Sequence, residues 1–150
     1  MKNNFTAKAE ILIGAPATRV WNALTDPEII KQYLFGTTAI SDWKVGSRIL
    51  YRGQGEGKAY EDKGTILEVV PEKRFVSTYW TAFSGLPDQP ENYQTVEYDL
   101  VPEGAKTKLT VTQSKIPSQQ SADQLKNNLE MVLGNLKKLL ETGSLIGKSA

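Results

Sequence analysis

Neither cysteine nor histidine occurs anywhere in the 150 residues of this chain. The first absence removes disulfides, thiolate nucleophiles and thiolate metal sites, which fits a reducing compartment. The second cuts deeper. Without imidazole there is no serine–histidine or cysteine–histidine catalysis, no common zinc site and no side chain with an unperturbed pKa near neutrality. An excess of one charge is lacking too: 18 Lys and Arg face 17 Asp and Glu, a net of +1. That balance offers no electrostatic footprint for nucleic acid or an anionic membrane. No stretch approaches the ~20 apolar residues that span a bilayer. Lys8 and Glu10 interrupt what would have to be the apolar region of a signal peptide. The triplet Asn4-Phe5-Thr6 has the form of a glycosylation acceptor, but without a secretory signal it reads as chance. These exclusions predict a soluble, cytoplasmic protein with no metal, no cofactor, no nucleic-acid partner and no membrane insertion.

What is present has the size of one domain, 1–150, with 143–150 as a loose tail. The most informative stretch is Ala15 to Glu28, which reads as a short amphipathic helix that stops, turns and restarts. Pro16 suits a first helical position, where its missing N–H would have had no partner. Val20, Trp21 and Leu24 recur at helical spacing and form one apolar stripe. Asp26 is placed to cap a second helix that has Pro27 at its first position and Glu28 in its first turn. Gly36 closes it. The two helices span roughly 16–25 and 27–34, after an alternating strand over 4–13.

A succession of strands follows, over 37–41, 47–52, 58–70, 74–80, 93–101 and 106–114. Gly53–Gly57 reads as a flexible hairpin, since its spacing matches no phosphate-cradling loop and it leads into a strand. Gly64 marks a bend or bulge. The stretch Ala82–Asn92 carries Gly85, Pro87 and Pro90 and is longer than a tight hairpin needs, as functional loops often are. The chain ends in a long helix. Ser121-Ala-Asp-Gln124 has capping-box form, Leu125, Leu129, Val132, Leu133, Leu136 and Leu140 line one face, and Gly143 is a natural stop. Gly134, inside that helix and beside Leu133, either lets a strand or ligand approach the backbone or is a tolerated surface glycine.

About seven antiparallel strands and one long helix imply an α+β sheet curved around that helix. A helix about 10 Å wide covers only part of such a sheet. The remainder is filled by large side chains or left as a cavity. The candidates for that lining are Tyr33, Trp43, Tyr51, Tyr60, Tyr79, Trp80 and Tyr98, with Leu129 and Leu133 walling the helix side. Aromatics with a polar tip suit an apolar pocket that offers some hydrogen bonds, and equally fill a core with too little helix above it. On the fifth strand, either Phe75, Ser77 and Tyr79 or Val76, Thr78 and Trp80 face inward. Glu61 and Asp62, adjacent in a strand, point to opposite faces and cannot share a metal or proton. Glu68 is either an inward acid or a solvated carboxylate, and Arg52 and Arg74 either meet an anion at the rim or are surface charge.

The succession Ile13–Pro27, Asp42–Gly46, Gly64–Pro71, Arg74–Tyr79, Thr95–Gly104 and Thr107–Thr112 resembles the helix-grip superfamily of START-like and birch-pollen-allergen-like (SRPBCC) proteins. Within it, the chain is similar to the family of activator-of-heat-shock-protein-ATPase-like domains. The resemblance covers nearly the whole chain. It implies a hydrophobic cavity between sheet and terminal helix, holding a lipid, sterol, polyketide or flavonoid-like molecule. Where many relatives carry a Gly-Trp pair at the start of the terminal helix, this chain has Ser121-Ala122-Asp123. The reading preferred on these grounds is a non-enzymatic binder of a small hydrophobic ligand, oriented by the hydroxyls of Tyr51, Tyr60 and Tyr98 and gated by Ala82–Asn92. The alternatives are a module that stimulates a chaperone ATPase in the stress response or self-associates, and a cyclase or hydrolase on the same scaffold.

Overall fold

The computed structural model describes residues 5–34, 36–55 and 58–143. The tip of the glycine hairpin, Glu56 and Gly57, and the tail 144–150 lie outside the described residues. The elements run β1 (Phe5–Ile13), α1 (Ala17–Thr25), α2 (Pro27–Tyr33), β2 (Thr38–Ser41), β3 (Arg48–Gly55), β4 (Lys58–Val70), β5 (Arg74–Tyr79), β6 (Gln94–Glu103), β7 (Lys106–Ile116) and α3 (Gln119–Thr142). All seven strands join one antiparallel sheet in the order β1-β7-β6-β5-β4-β3-β2. The architecture is the expected α+β helix-grip fold, with two short helices between the first two strands.

Local chemistry places most boundaries. Asp26 serves two helices at once: its N–H bonds the Asn22 carbonyl to end α1, and its Oδ1 accepts from Glu28 N at 2.9 Å to start α2. Gly36, at φ +88°, sends its N–H to the Lys31 carbonyl and closes α2. Pro16 stands one position earlier than expected. Its ψ of 160° is extended, so it is the cap rather than the first helical residue, and its carbonyl accepts from Arg19 and Val20.

The start of α3 also differs from the sequence reading. The cap is Ser118, whose Oγ accepts from Ser121 N at 3.1 Å, not Ser121. The helix begins directly after Pro117 because its first turn is docked: Ala122 is buried against Ala7 and Ile116. Over 24 residues, about 36 Å, α3 packs chiefly on β1 and less on β7, α1 and α2. Leu133, Leu136, Leu139 and Leu140 are buried there with Ala9, Ile13, Leu100, Leu109 and Val111. Gly143 stops the helix at φ +84°. Gly134 is exposed, and a Cβ there would meet nothing within 4 Å. The surface alternative therefore holds, and among the described residues no strand approaches the helix at that point.

β4 is the hinge of the sheet. Its residues 58–65 pair with β3 and 66–70 with β5, with a register shift between Ile66 and Glu68. Gly64, where the bend was expected, lies against β5. A Cβ there would sit 1.8 Å from the Thr78 carbonyl oxygen, so no side chain fits.

Candidate functional site

The register of β5 settles its facing. Phe75 pairs with Tyr98, Ser77 with Val96 and Ile66, and Tyr79 with Gln94. Phe75 and Ser77 are buried on the inner face of the sheet. Phe75 packs among Ile49, Ile66 and the rings of Trp21, Trp43 and Tyr98, whose centroids lie 6.1–6.2 Å from its own. Trp43 holds this place at φ 61°, a left-handed conformation that a bulky residue rarely adopts.

Trp80 is on the other side. Its ring stacks on Tyr93, with Lys63 Nζ 5.5 Å from its centroid, and its Nε1 donates to the Leu86 carbonyl. Lys63 also reaches Asp88 at 2.5 Å. Trp80 therefore anchors the 82–92 segment, which contains two short 3₁₀ turns, and does not join the inner row.

The inner row is a set of tyrosines on neighbouring strands. Tyr51 of β3 stands opposite Asp62 of β4. Tyr79 of β5 donates its hydroxyl to Asp62 Oδ2 at 2.7 Å. Tyr98 follows on β6. Tyr60 shares a 2.6 Å hydroxyl contact with Thr37. Tyr33 is buried and donates to the Ala23 carbonyl at 2.7 Å, so its hydroxyl fixes α2 onto α1. Leu133 is sealed in the core, whereas Leu129 is half-buried and bridges the two ends of α3's contact. Among the described residues, the Tyr51 and Tyr98 hydroxyls make no hydrogen bond.

Desolvation is the main cause that raises the pKa values of Tyr33, Tyr51, Tyr79 and Tyr98, Tyr98 to about 12. Tyr51 and Tyr98 raise that of Tyr33, and Tyr98, Tyr79 and Asp62 raise that of Tyr51, so these groups share one locality. Yet Tyr51, Tyr79 and Tyr98 are only half-buried. They stand on adjoining strands of the inner face, and α3 makes no extended contact with β3, β4 or β5 among the described residues. Among the described residues, Asp62 Oδ1 is buried and has no hydrogen-bond partner.

The carboxylates and arginines singled out as candidates lie elsewhere. Glu68 faces outward, where Arg74 binds it at 3.0 Å together with Glu97 and Asp99 at 3.0 and 2.7 Å. Arg52 pairs with Glu61 at 2.5 Å on the outer face. A crevice of about 760 Å³ opens beside that pair, lined by Gly36, Thr38, Gly53 and Tyr60 among others. The sequence marks Asp62 only as the neighbour of Glu61, with which it cannot share a site. The available signal was the alternation Tyr60-x-Asp62-x-Gly64, which puts a carboxylate in an otherwise apolar row.

Among the described residues, no group of three His, Cys, Asp or Glu could hold a metal ion, and no helix is long and apolar enough to cross a membrane. With the sheet, its helix and the row of tyrosines described, the chain is placed by its relatives. Residues 14–141 match the family described as Activator of Hsp90 ATPase homolog 1-like protein, and the chain belongs to that family. The solution structure of a Cytophaga hutchinsonii protein is 39% identical, with a TM-score of 0.82, over 95% of this chain and 98% of that one. DynU16, a protein in the dynemicin biosynthetic locus, is 24% identical, with a TM-score of 0.77, over 93% of this chain and 48% of that one. An HSP90 activator from Plasmodium falciparum is 22% identical, with a TM-score of 0.70, over 91% and 96%. The last two likenesses show the fold alone. No curated protein matches the chain.

Proposed function

We propose that the chain works as one domain that binds a small, largely apolar molecule, aromatic or lipid-like, in a recess on the inner face of the sheet beside α3, without catalysing its conversion. The observation that carries this reading is that Tyr51, Tyr79 and Tyr98 stand only half-buried on the inner face of adjoining strands, where α3 makes no extended contact with β3, β4 or β5 among the described residues. Tyr51 and Tyr98, their hydroxyls uncommitted among the described residues, orient the guest. Trp43, Tyr60 and Leu129 wall it, and Ala82–Asn92 governs entry. Burial supplies the binding free energy, at about 25 cal/mol per Å² of apolar surface before the costs of ordering. Occurrence of the fold in a protein of a biosynthetic locus agrees with a small-molecule guest.

The experiment is a thermal-shift and NMR screen of the protein against a small apolar library. Compounds that raise the melting temperature and move the resonances of Tyr51, Tyr98 and Leu129 together support the reading. A second reading, stimulation of a chaperone ATPase, is favoured by the family description. It is supported instead if no compound acts and the protein accelerates ATP hydrolysis by purified Hsp90.

A further inference from the structure

The outer face of the sheet, opposite the tyrosine row, carries a cleft of about 450 Å³. Arg48 of β3, Lys63 and Thr65 of β4 and Thr78 of β5 line it, together with Asp88 and Tyr93 from the segment before β6. The β4–β5 ladder is broken at its floor. Pairing stops at Ile66 and Ser77 and resumes at the Lys63–Trp80 bridge, and between them Thr65 N donates to Thr78 Oγ1 at 2.9 Å. The one carboxylate of the cleft is fully engaged: Lys63 reaches Asp88 Oδ2 at 2.5 Å, and the Tyr93 hydroxyl donates to its Oδ1 at 2.6 Å. Those two partners hold the Asp88 pKa below the usual carboxylate range, and the charge of Arg48 lowers it further, so the field of the guanidinium reaches into the cleft. Arg48 itself is exposed and makes no ion pair among the described residues. The Thr78 hydroxyl accepts from Thr65 N and keeps its own proton to donate. With Asp88 offset by Lys63, the charge of Arg48 is left unbalanced. A cleft with free donors, occupied acceptors and one surplus positive charge is complementary to a singly charged oxyanion.

We infer that this outer cleft binds the carboxylate of a small organic acid, with the Arg48 guanidinium as its anchor. The planar fork of a guanidinium meets both carboxylate oxygens at once. Thr65 and Thr78 add hydroxyl donors beside it, and Pro90 and Tyr93 offer apolar surface to the body of the acid. Tyr93 is braced for that contact by its stacking on Trp80. A phosphate dianion suits the cleft less well, because Asp88 stands in it and one surplus positive charge balances a single negative one. Arg48 and Thr65 are exposed, so an acid meets them without any rearrangement of the chain. The cleft and the tyrosine row lie on opposite faces of the sheet, so this inference and the recess reading stand or fall separately.

3-Phenylpropanoate and 3-phenylpropanamide have matched shapes and differ in charge. In NMR titrations at neutral pH, the acid is expected to saturate while the Arg48 side-chain N–H and the Thr65, Thr78 and Tyr93 amides move together. It should bind about tenfold or more tighter than the amide, the usual scale for hydrogen bonds to a charged group. Arg48→Gln alters an exposed side chain and should bring the acid down to the affinity of the amide. Arg52→Gln removes an outer-face arginine that is already paired with Glu61 and should leave the acid's affinity unchanged. Equal affinities of acid and amide, shifts that grow without saturating, or an affinity that survives in Arg48→Gln overturn the inference. An equal loss in Arg48→Gln and Arg52→Gln shows only a general attraction to the protein's charge and overturns it too. If the acid moves Tyr51, Tyr98 and Leu129 instead, the outer cleft falls and the recess reading gains.

Discussion

On the inner face of the sheet, the half beneath α3 and the half beyond it are built from different chemistry. Under the helix, Ala9, Ile13, Leu109 and Val111 are at most 3% exposed and meet Leu133 and Leu136 of α3. Beyond it, Ile49, Ile66 and Phe75 are buried under Trp21 and Trp43 instead, and next to them Tyr51, Tyr79 and Tyr98 stand half-buried around Asp62, where α3 makes no extended contact with β3, β4 or β5 among the described residues. A helix can close only the strands its stripe reaches. Aliphatic residues serve the closed half, where complementary packing is available. Aromatics with polar tips serve the half that stays accessible, where a wet end must be tolerated.

The strongest test of this division is the boundary itself. Gly64→Ala drives a methyl group into the Thr78 carbonyl at the bend of β4. It should cost about 4 kcal/mol or prevent folding, as read by urea denaturation or soluble yield. A near-neutral result would mean that the two halves are not clamped there. Next comes Leu136→Ala in the closed half, expected to lose about 3 kcal/mol because Leu136 is 1% exposed and leaves a cavity.

The open half answers to alkali. Burial raises the pKa of Tyr98 to about 12, against 10 for an unfolded tyrosine, and raises those of Tyr33, Tyr51 and Tyr79 as well. The folded state therefore holds these protons longer than the unfolded one. The associated stability is complete below pH 10 and drains away as the pH rises toward 12. The loss is roughly 1.4 kcal/mol per pH unit for each such tyrosine, and melting temperature against pH measures it. A flat profile would show these hydroxyls to be hydrated, and the comparison would break.

Two smaller effects sharpen it. Gly134→Ala, on the outer side of α3, should stabilise by about 1 kcal/mol and leave ligand response unchanged. A lost response would draw that helix backbone into the site. Tyr98→Phe should alter stability by less than about 0.5 kcal/mol, since among the described residues its hydroxyl makes no hydrogen bond. A large loss on equilibrium unfolding would make that hydroxyl structural.

Much of this arrangement was legible before any coordinates. Asp26, Pro27, Gly36 and Gly143 announce their helix ends because capping depends on neighbours a few residues away. Alternation along 96–100 and 107–113 marked those strands, since a half-covered sheet imposes a period of two. The facing of β5 was not legible, because Phe75 and Tyr79 compete with Val76 and Trp80 and both sets are apolar. Ser118 was passed over for Ser121, since the docking of Ala122 on Ala7 and Ile116 is a long-range contact. Which alternative holds for Glu68 and Arg74, interior or rim group against surface charge, is not legible for the same reason. Their partners Glu97 and Asp99 are adjacent only once β5 pairs with β6.

By itself, then, the order of residues determined the elements, their ends and the chemistries ruled out, because those depend on composition and on interactions within a turn or two. Only the tertiary structure decided which tyrosines gather and, among the described residues, which of them keep their hydroxyls uncommitted and that one oxygen of Asp62 is enclosed without a donor. Those properties belong to no local segment. They arise where β3, β4, β5 and β6 meet beyond the reach of α3, and the hydration of a group is set by everything that surrounds it in space.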